Sequence, residues 1–301
     1  MSKPVGKEIS IVINTDTREG IDLDRTEAHN GVGCRSWDLL IDNVYTHRKF
    51  FEGHSVEVIL LVDIHVKIPD KVMSKLHSMV NEGIIDNLVL RKSVPFFEGH
   101  FIKEWKALFY LEALFMAKGK YIAHFDGDSS SFRDPASNFV DKLIDWVESG
   151  KYDFISYPNP NSPDPEPPGH MHVLKADYLW VSTRFFFCKR SALDFSEMLK
   201  CIQNNETGYV YENYKKYYKK FFAKFSVEQV LGLLANTEKK DRIFYPPRAP
   251  NEYLIFSWHT YLNGTLGKLR GMKWPEIRDY LNDECGGVKG PCDLHDRKYK
   301  S

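Results

Sequence analysis

Two aspartates one residue apart are the sharpest chemical feature of the sequence. Asp126 and Asp128 flank Gly127 directly after the apolar run at residues 121–125 (YIAHF). Two carboxylates in one turn suit Mg²⁺ or Mn²⁺, which takes one or two protein carboxylates and keeps its other positions for phosphate and water. Turns rich in Asp and Gly are also common without any ligand, so the surrounding elements decide the interpretation.

Strand and helix patterns alternate along the first half of the chain. Short apolar or β-branched runs predict strands at residues 9–14, 56–62, 84–90 and 121–125. Helical spacing of apolar residues predicts helices at residues 35–50, 70–82 and 100–117. Strands separated by helices pair in parallel through right-handed crossovers, which predicts an α/β fold with a mostly parallel central sheet flanked by helices.

Polar residues follow each of these strands. Thr15 comes after the first strand, Asp63 after the second, Arg91 after the third and Asp126 after the fourth. Ligands of parallel sheets bind beyond the carboxyl ends of the strands. We therefore expect these four side chains to meet at one edge of the sheet.

The second half of the chain continues with further elements and one long loop. Helices are predicted at residues 134–148 and from about 191 to 202, and strands at residues 152–157 and 178–188. Six prolines within residues 158–168 exclude a central strand or helix there and predict a stiff loop.

Composition excludes several classes of function. Lys plus Arg and Asp plus Glu number 41 each, so no overall positive charge attracts nucleic acid. Five widely spaced cysteines without a CxxC pair indicate reduced thiols and no zinc site. No apolar run approaches the ~18 residues of a membrane span, and residues 1–15 lack the pattern of a signal peptide. We expect a cytoplasmic location.

Residues 211–225 place seven aromatic residues at helical spacing, with lysines between them. Such a basic amphipathic helix packs on a core, rests peripherally on an anionic membrane or a lipid-linked acceptor, or stacks against sugars. The sequence leaves these three alternatives open.

The motifs together resemble the GT-A glycosyltransferases. Residues 107–128 (ALFYLEALFMAKGKYIAHFDGD) resemble the stretch that leads into the DxD motif of that family, and residues 9–18 (ISIVINTDTR) its first strand and turn. Residues 56–65 (VEVILLVDIH) are similar to its second strand, and residues 185–193 (FFFCKRSAL) to a strand and turn of the family-2 type. The resemblance covers about residues 8–235.

This resemblance implies a GT-A, or nucleotide-diphospho-sugar transferase, fold with a C-terminal acceptor-side extension. Residues 1–245 would form the catalytic domain, with a nucleotide-sugar half at about 1–131 and an acceptor half at 132–245. Residues 246–301 would close the active site. The implied reaction is hexosyl transfer from a nucleotide-diphosphate sugar, a UDP-sugar being favoured, to a hydroxyl of a glycan, a lipid-linked acceptor or a protein.

The resemblance also implies a role for each residue at the strand ends. Thr15 and Asp63 would contact the nucleoside, and Arg91 the base or a phosphate. Asp126 would meet the ribose or the metal ion, and Asp128 would bind the Mn²⁺ or Mg²⁺ that holds the diphosphate.

Two further residues come from later motifs. Residues 225–231 (FSVEQVL) resemble the segment that carries the catalytic base of inverting family-2 enzymes, which makes Glu228 the expected base; a first-turn Glu also simply suits a helix dipole. His259 resembles the distant metal ligand of some GT-A enzymes, and it is equally compatible with packing beside Trp258 and Tyr261. A retaining enzyme with His259 on the metal is the alternative.

Two other classes of protein compete with this interpretation. A sugar nucleotidyltransferase would carry a Gly-rich phosphate loop after the first strand, and residues 14–24 (NTDTREGIDLD) hold one Gly and no GxG. A non-catalytic module that binds a sugar nucleotide would show the same sequence features as the enzyme. Binding without turnover distinguishes the two.

Overall fold

The structure is a computed structural model of the 301-residue chain. It describes residues 8–17, 37–64, 67–91, 106–127, 129–156 and 181–196, together with 231, 243–244, 246, 252–257 and 276. The proline-rich loop at 158–168 and the aromatic segment at 211–225 lie outside these residues.

Strands and helices alternate in the order that the sequence predicts. The strands are β1 (Ile9–Thr17), β2 (Val56–Ile64), β3 (Asn87–Arg91), β4 (Tyr121–Asp126), β5 (Ser129–Arg133), β6 (Phe154–Ser156), β7 (Phe185–Lys189), β8 (Ile243–Phe244) and β9 (Tyr253–Ser257). The helices are α1 (Trp37–Phe50), α2 (Asp70–Asn81), α3 (Lys106–Met116) and α4 (Phe139–Glu148).

Seven of these strands form one sheet in the order β3-β2-β1-β4-β7-β6-β8. The pairs β1–β2, β1–β4, β2–β3 and β6–β8 are parallel, and β7 runs antiparallel to both β4 and β6. Strands β5 and β9 form a separate antiparallel pair. The expected α/β class with a mostly parallel central sheet is confirmed.

The centre of the sheet is buried on both faces, as the continuous apolar runs of its strands predict. All residues of β4 are buried, and β2 is buried from Val56 to Asp63. Helix α3 packs on β1 and β2, and α4 packs on β6 and β7. Aromatic rings fill the space between the layers, and the largest of those that are fully buried are Phe50, Phe51, Phe125, Phe139, Phe154, Phe185, Phe186 and Phe187.

Strands β1 and β2 continue past their apolar runs into the polar residues. Parallel pairing extends from Thr15 with Val62 to Thr17 with Ile64. Thr15 and Asp63 therefore lie within the last residues of strands, and the sequence prediction that they follow the strands is wrong by two or three positions. The backbone ladder fixes both residues more firmly than a loop would.

The predicted helix at 134–148 begins five residues too early. Asp134 forms a turn instead: its Oδ1 accepts a hydrogen bond from the Ala136 amide at 2.8 Å, and its carbonyl accepts one from the Ser137 amide at 2.9 Å. Pro135 lies inside this turn, and α4 starts only at Phe139. An Asp side chain that bonds the backbone two residues on competes with helix formation.

Three other predicted elements differ in extent. The strand predicted at 152–157 is shorter, at Phe154–Ser156, and the strand predicted at 178–188 is confined within the described residues to Phe185–Lys189. The helix predicted from about 191 is replaced at its start by a 3₁₀ turn, Arg190–Ala192, and helical residues appear at 195–196.

Among the described residues, no helix is both long enough and apolar enough to cross a membrane.

Candidate active site

Asp126 is the last residue of β4, and its carboxylate is held by two hydroxyl groups. Tyr110 of α3 donates a hydrogen bond to Oδ1 at 3.0 Å, and Thr183, just before β7, donates one to Oδ2 at 3.2 Å. Asp126 is only 8% exposed. Donors from two different elements thus orient a carboxylate at the carboxyl end of a central strand.

The neighbouring strands bring the other polar residues to the same edge. The strand order β3-β2-β1-β4 and the register place Arg91, Asp63 and Asp126 in one row on the same face of the sheet, because Asp16 pairs with Asp63 and Asn14 pairs with Asp126. Thr15, between Asn14 and Asp16, lies at the same end of the sheet on the opposite face. Asp63 pairs with Arg91 across β2 and β3, and Asn14, next to Thr15, pairs with Asp126 across β1 and β4. Adjacent strands lie about 4.8 Å apart, so the row is short enough for one ligand to span it.

Gly127 lets the turn after β4 pack directly on β1. A Cβ atom at this position would lie 2.6 Å from Thr15 Cβ and 2.7 Å from Thr15 Oγ1, closer than real Cβ atoms approach their neighbours. The Gly127 amide donates a hydrogen bond to the Asn14 carbonyl at 2.7 Å. The position therefore requires glycine, and Thr15 forms the surface against which the turn rests.

Asp63 and Arg91, neighbours in the row, differ in burial. Asp63 is only 1% exposed, and its carbonyl accepts a hydrogen bond from Thr17 Oγ1 at 3.4 Å. Arg91 is exposed and forms an ion pair with Glu112 of α3. A guanidinium has five N–H donors, so this ion pair leaves Arg91 able to bond a base or a phosphate.

His124 supports the site from within the sheet. Its ring is buried, stacks on Phe186 at 4.9 Å between centroids, and places Nδ1 2.7 Å from the Thr183 carbonyl. Burial lowers the pKa of His124 to about 3, so the ring is neutral at pH 7. Because a carbonyl only accepts hydrogen bonds, Nδ1 carries the ring proton and donates to Thr183. His124 thereby holds in place Thr183, whose hydroxyl bonds Asp126.

Two buried histidines make the stability depend on pH. Burial lowers the pKa of His47 and of His124 to about 3 each, against about 6.5 in an unfolded chain. Between these values the unfolded chain binds more protons, so the stabilisation is present above about pH 6.5 and is lost as the pH falls toward 3. The two groups together should lower the free energy of unfolding by about 2 kcal/mol between about pH 6.5 and 5.5.

Urea unfolding at a series of pH values measures this change. His47 stacks on Phe125 at 3.8 Å, so His47→Phe keeps an aromatic ring there and should halve the slope of stability against pH. An unchanged slope in His47→Phe would contradict the assignment of a neutral His47.

The remaining candidates lie outside the described residues: Asp128, Glu228 and His259. In the part of the chain that the structure describes, no group of three or more His, Cys, Asp or Glu side chains is arranged to hold a metal ion. The metal and base assignments therefore stay predictions.

Tyr110, Thr183 and His124 are the residues of this site that the sequence interpretation did not assign to it. Tyr110 lies within the helical pattern of α3, and Thr183 directly precedes the aromatic run of β7. His124 stands in the buried run just before Asp126, and a polar residue inside a buried strand was the available signal.

The architecture is a seven-stranded, mostly parallel sheet between helices, with the candidate site at the carboxyl ends of its first four strands, as the sequence resemblance implies. Neither a protein-family model nor a curated protein matches the chain.

Three solved structures of low sequence identity are similar to this chain, and two of them are glycosyltransferases. The mannosyltransferase PcManGT from Pyrobaculum calidifontis, in complex with GDP-Man and Mn²⁺, is 13% identical, covers 80% of this chain and 55% of its own length, and has a TM-score of 0.43. The glycosyltransferase GlyE of Streptococcus pneumoniae TIGR4 is 12% identical, covers 95% of this chain and 65% of its own length, and has a TM-score of 0.45. TarS of S. aureus is 12% identical, the alignment covers 79% of this chain and 60% of the TarS chain, and the TM-score is 0.38. The chain spans less than two thirds of each.

Proposed function

We propose that the protein is a metal-dependent glycosyltransferase that moves a hexosyl group from a nucleotide-diphosphate donor, a UDP-sugar being favoured, to a hydroxyl acceptor. The observation that carries this proposal is the Asp126 carboxylate, which Tyr110 and Thr183 orient at the end of the central strand β4. The acceptor would be a glycan, a lipid-linked sugar or a protein.

The residues at this turn fit a divalent cation. Asp126 supplies hard carboxylate oxygens, the ligands that Mg²⁺ and Mn²⁺ prefer, and Asp128 follows two positions later. Gly127 permits the close approach of the turn to β1. Asp126 and Asp128 would hold the ion, with His259 as a further ligand, and the ion would neutralise charge on the diphosphate leaving group.

The other residues of the row would bind the nucleoside. Asp63, near the end of β2, would accept hydrogen bonds from base or ribose, and Thr15, near the end of β1, would also contact the nucleoside. Arg91, at the exposed end, contacts the base or a phosphate. In this arrangement the nucleoside would lie beside β2 and β3, and the diphosphate beside the turn after β4.

Transfer with inversion requires a base on the acceptor side. The acceptor oxygen would attack the anomeric carbon, its proton would pass to Glu228, and the bond from that carbon to the diphosphate oxygen would break. Residues 1–131 would supply the donor half, residues 132–245 the acceptor half, and residues 246–301 the closure. If Glu228 is dispensable, a retaining enzyme with His259 on the metal replaces this mechanism.

Thermal-shift titration with UDP-, GDP-, TDP- and CMP-sugars tests the proposal. Each donor is added with Mn²⁺ and again with EDTA, to the wild type and to Asp128→Ala. We expect one nucleotide to raise the melting temperature only with Mn²⁺, and Asp128→Ala to lose the effect. A ligand present at 100 times its Kd stabilises by about 2.7 kcal/mol, which is readily detected.

The other outcomes distinguish the alternatives. Absence of stabilisation by every donor, with a folded wild type, would overturn the glycosyltransferase proposal. Metal-dependent stabilisation without release of nucleoside diphosphate in the presence of any acceptor would favour a sugar-nucleotide-binding module.

A further inference from the structure

The turn that carries the candidate metal ligands is held from outside the sheet by helix α1. Asn43, in the middle of α1, donates a hydrogen bond from Nδ2 to the Gly127 carbonyl at 2.9 Å. Asn43 is only 1% exposed. A buried amide side chain thus connects α1 to a residue 84 positions further along the chain.

The orientation of the Asn43 amide is itself fixed. Ser130 of β5 donates a hydrogen bond from Oγ to Oδ1 of Asn43. Because Oδ1 accepts this bond, Nδ2 is directed to Gly127. Asn43 therefore ties the turn to the strand that follows it, and both of its amide atoms are used in doing so.

The two hydrogen-bonding groups of Gly127 are held from opposite directions. Its amide donates to the Asn14 carbonyl of β1 at 2.7 Å, and its carbonyl accepts from Asn43. Asn14 and Asn43 consequently fix both hydrogen-bonding groups of the residue that directly follows the candidate ligand Asp126.

We infer that Asn43 is a positioning residue for the divalent cation: it holds Gly127, the residue that directly follows the candidate ligand Asp126, through the Gly127 carbonyl. The inference rests on the proposed metal-dependent function. Removal of a residue that orients a metal ligand typically weakens metal affinity by about 10- to 100-fold.

Asn43→Leu tests the inference because Leu has the same branching at Cγ as Asn and no hydrogen-bonding groups. The Mn²⁺ dissociation constant is measured from the electron paramagnetic resonance signal of free Mn²⁺, with the protein alone and with UDP. We expect Asn43→Leu to raise this constant about 10-fold or more. Asn43→Ala, which is easier to accommodate, should give the same result if Asn43→Leu fails to fold.

A matched control lies in the same interface. Ser131, also buried in β5, contacts His47 of α1, with Oγ 2.7 Å from Nδ1, and Ser131→Ala removes that hydrogen bond without altering those at Gly127. Ser131→Ala should change the Mn²⁺ dissociation constant by less than about 2-fold, whereas Ser130→Ala, which frees the Asn43 amide, should have an intermediate effect.

The outcomes separate this inference from the proposed function. If the wild type binds Mn²⁺ and the Asn43 variants bind it equally well, the positioning role is wrong. If Ser131→Ala weakens binding as much as Asn43→Leu does, the effect is a general loosening of the interface and the inference is overturned. If the wild type does not bind Mn²⁺ under either condition, the metal-dependent function fails first, and the role of Asn43 fails with it.

Discussion

Asp126→Asn is expected to lower the rate of sugar transfer about 1,000-fold and to abolish metal-dependent nucleotide binding. The exchange keeps the size of the side chain but replaces one carboxylate oxygen by an NH₂ group. An amide nitrogen does not coordinate a hard cation. In either orientation of the amide, its NH₂ group would face a hydroxyl that donates to the carboxylate in the wild type, that of Tyr110 or that of Thr183. Under the proposed mechanism, the diphosphate leaving group would then lack the divalent cation that neutralises its charge.

The rate of nucleoside diphosphate release at saturating Mn²⁺ measures the effect on catalysis. Asp86→Asn is the matched control, because Asp86 lies just before β3, at the opposite edge of the sheet, and accepts a hydrogen bond from the Val58 amide at 2.8 Å. We expect this control to keep its activity. Retention of more than about a tenth of the rate by Asp126→Asn would contradict a metal role for this carboxylate.

The parallel sheet could be predicted because its central strands are continuous apolar runs. Residues 56–62 and 121–125 were predicted as strands, and β2 and β4 extend each by only one or two residues. Helices with regular apolar spacing, such as α2 (Asp70–Asn81), could equally be predicted from the sequence. Parallel topology then follows from the alternation of elements, so the edge that holds Asp126 could also be deduced.

The residues that orient Asp126 could not be deduced in the same way. Tyr110 and Thr183 lie 16 and 57 positions from it in the chain. Their hydroxyls reach the carboxylate only after α3 has packed on the sheet and β7 has paired antiparallel to β4. No local pattern encodes these contacts, because each depends on the position of a whole element.

Strand β5 could not be predicted from the sequence for a different reason. Its sequence, SSSFR, has the composition of a turn, yet Ser129, Ser130 and Ser131 are all buried. Small side chains let α1 approach closely, and hydroxyls of the strand contact Asn43 and His47 of that helix. The hydroxyls of Ser130 and Ser131, whose polarity indicates a turn in the sequence, are bonded here in a buried polar interface, whereas the buried Ser129 hydroxyl has no hydrogen-bond partner within the described part of the chain. The partner strand β9 begins at Tyr253, more than a hundred residues later.

Glu57 supplies the second large expected effect, on stability. This carboxylate lies in β2, is only 4% exposed, and pairs in register with Ser10 of β1. Its Oε1 accepts hydrogen bonds from the backbone amides of Lys118 at 2.6 Å and Gly119 at 3.2 Å, and from the Ser10 hydroxyl. Gly119 has no room for a side chain, because a Cβ atom there would lie 2.6 Å from the Ser10 amide nitrogen. Glu57 therefore fastens the connection between α3 and β4.

Glu57→Met should lower the free energy of unfolding by about 2 kcal/mol, because it removes the Glu57 acceptor of the Lys118 amide and one of the two acceptors of the Gly119 amide, which also donates to Ser10 Oγ at 2.8 Å. Glu57→Gln keeps Oε1 and should lose only about 1 kcal/mol. Urea unfolding measures both, and equal losses would contradict the role of the shared acceptor. Glu57 and Asp126 lie at opposite ends of their strands, so below its melting temperature Glu57→Met should still bind nucleotide and Mn²⁺, whereas Asp126→Asn should fold normally and bind neither. Stability and binding would then depend on different carboxylates, one at each edge of the same sheet.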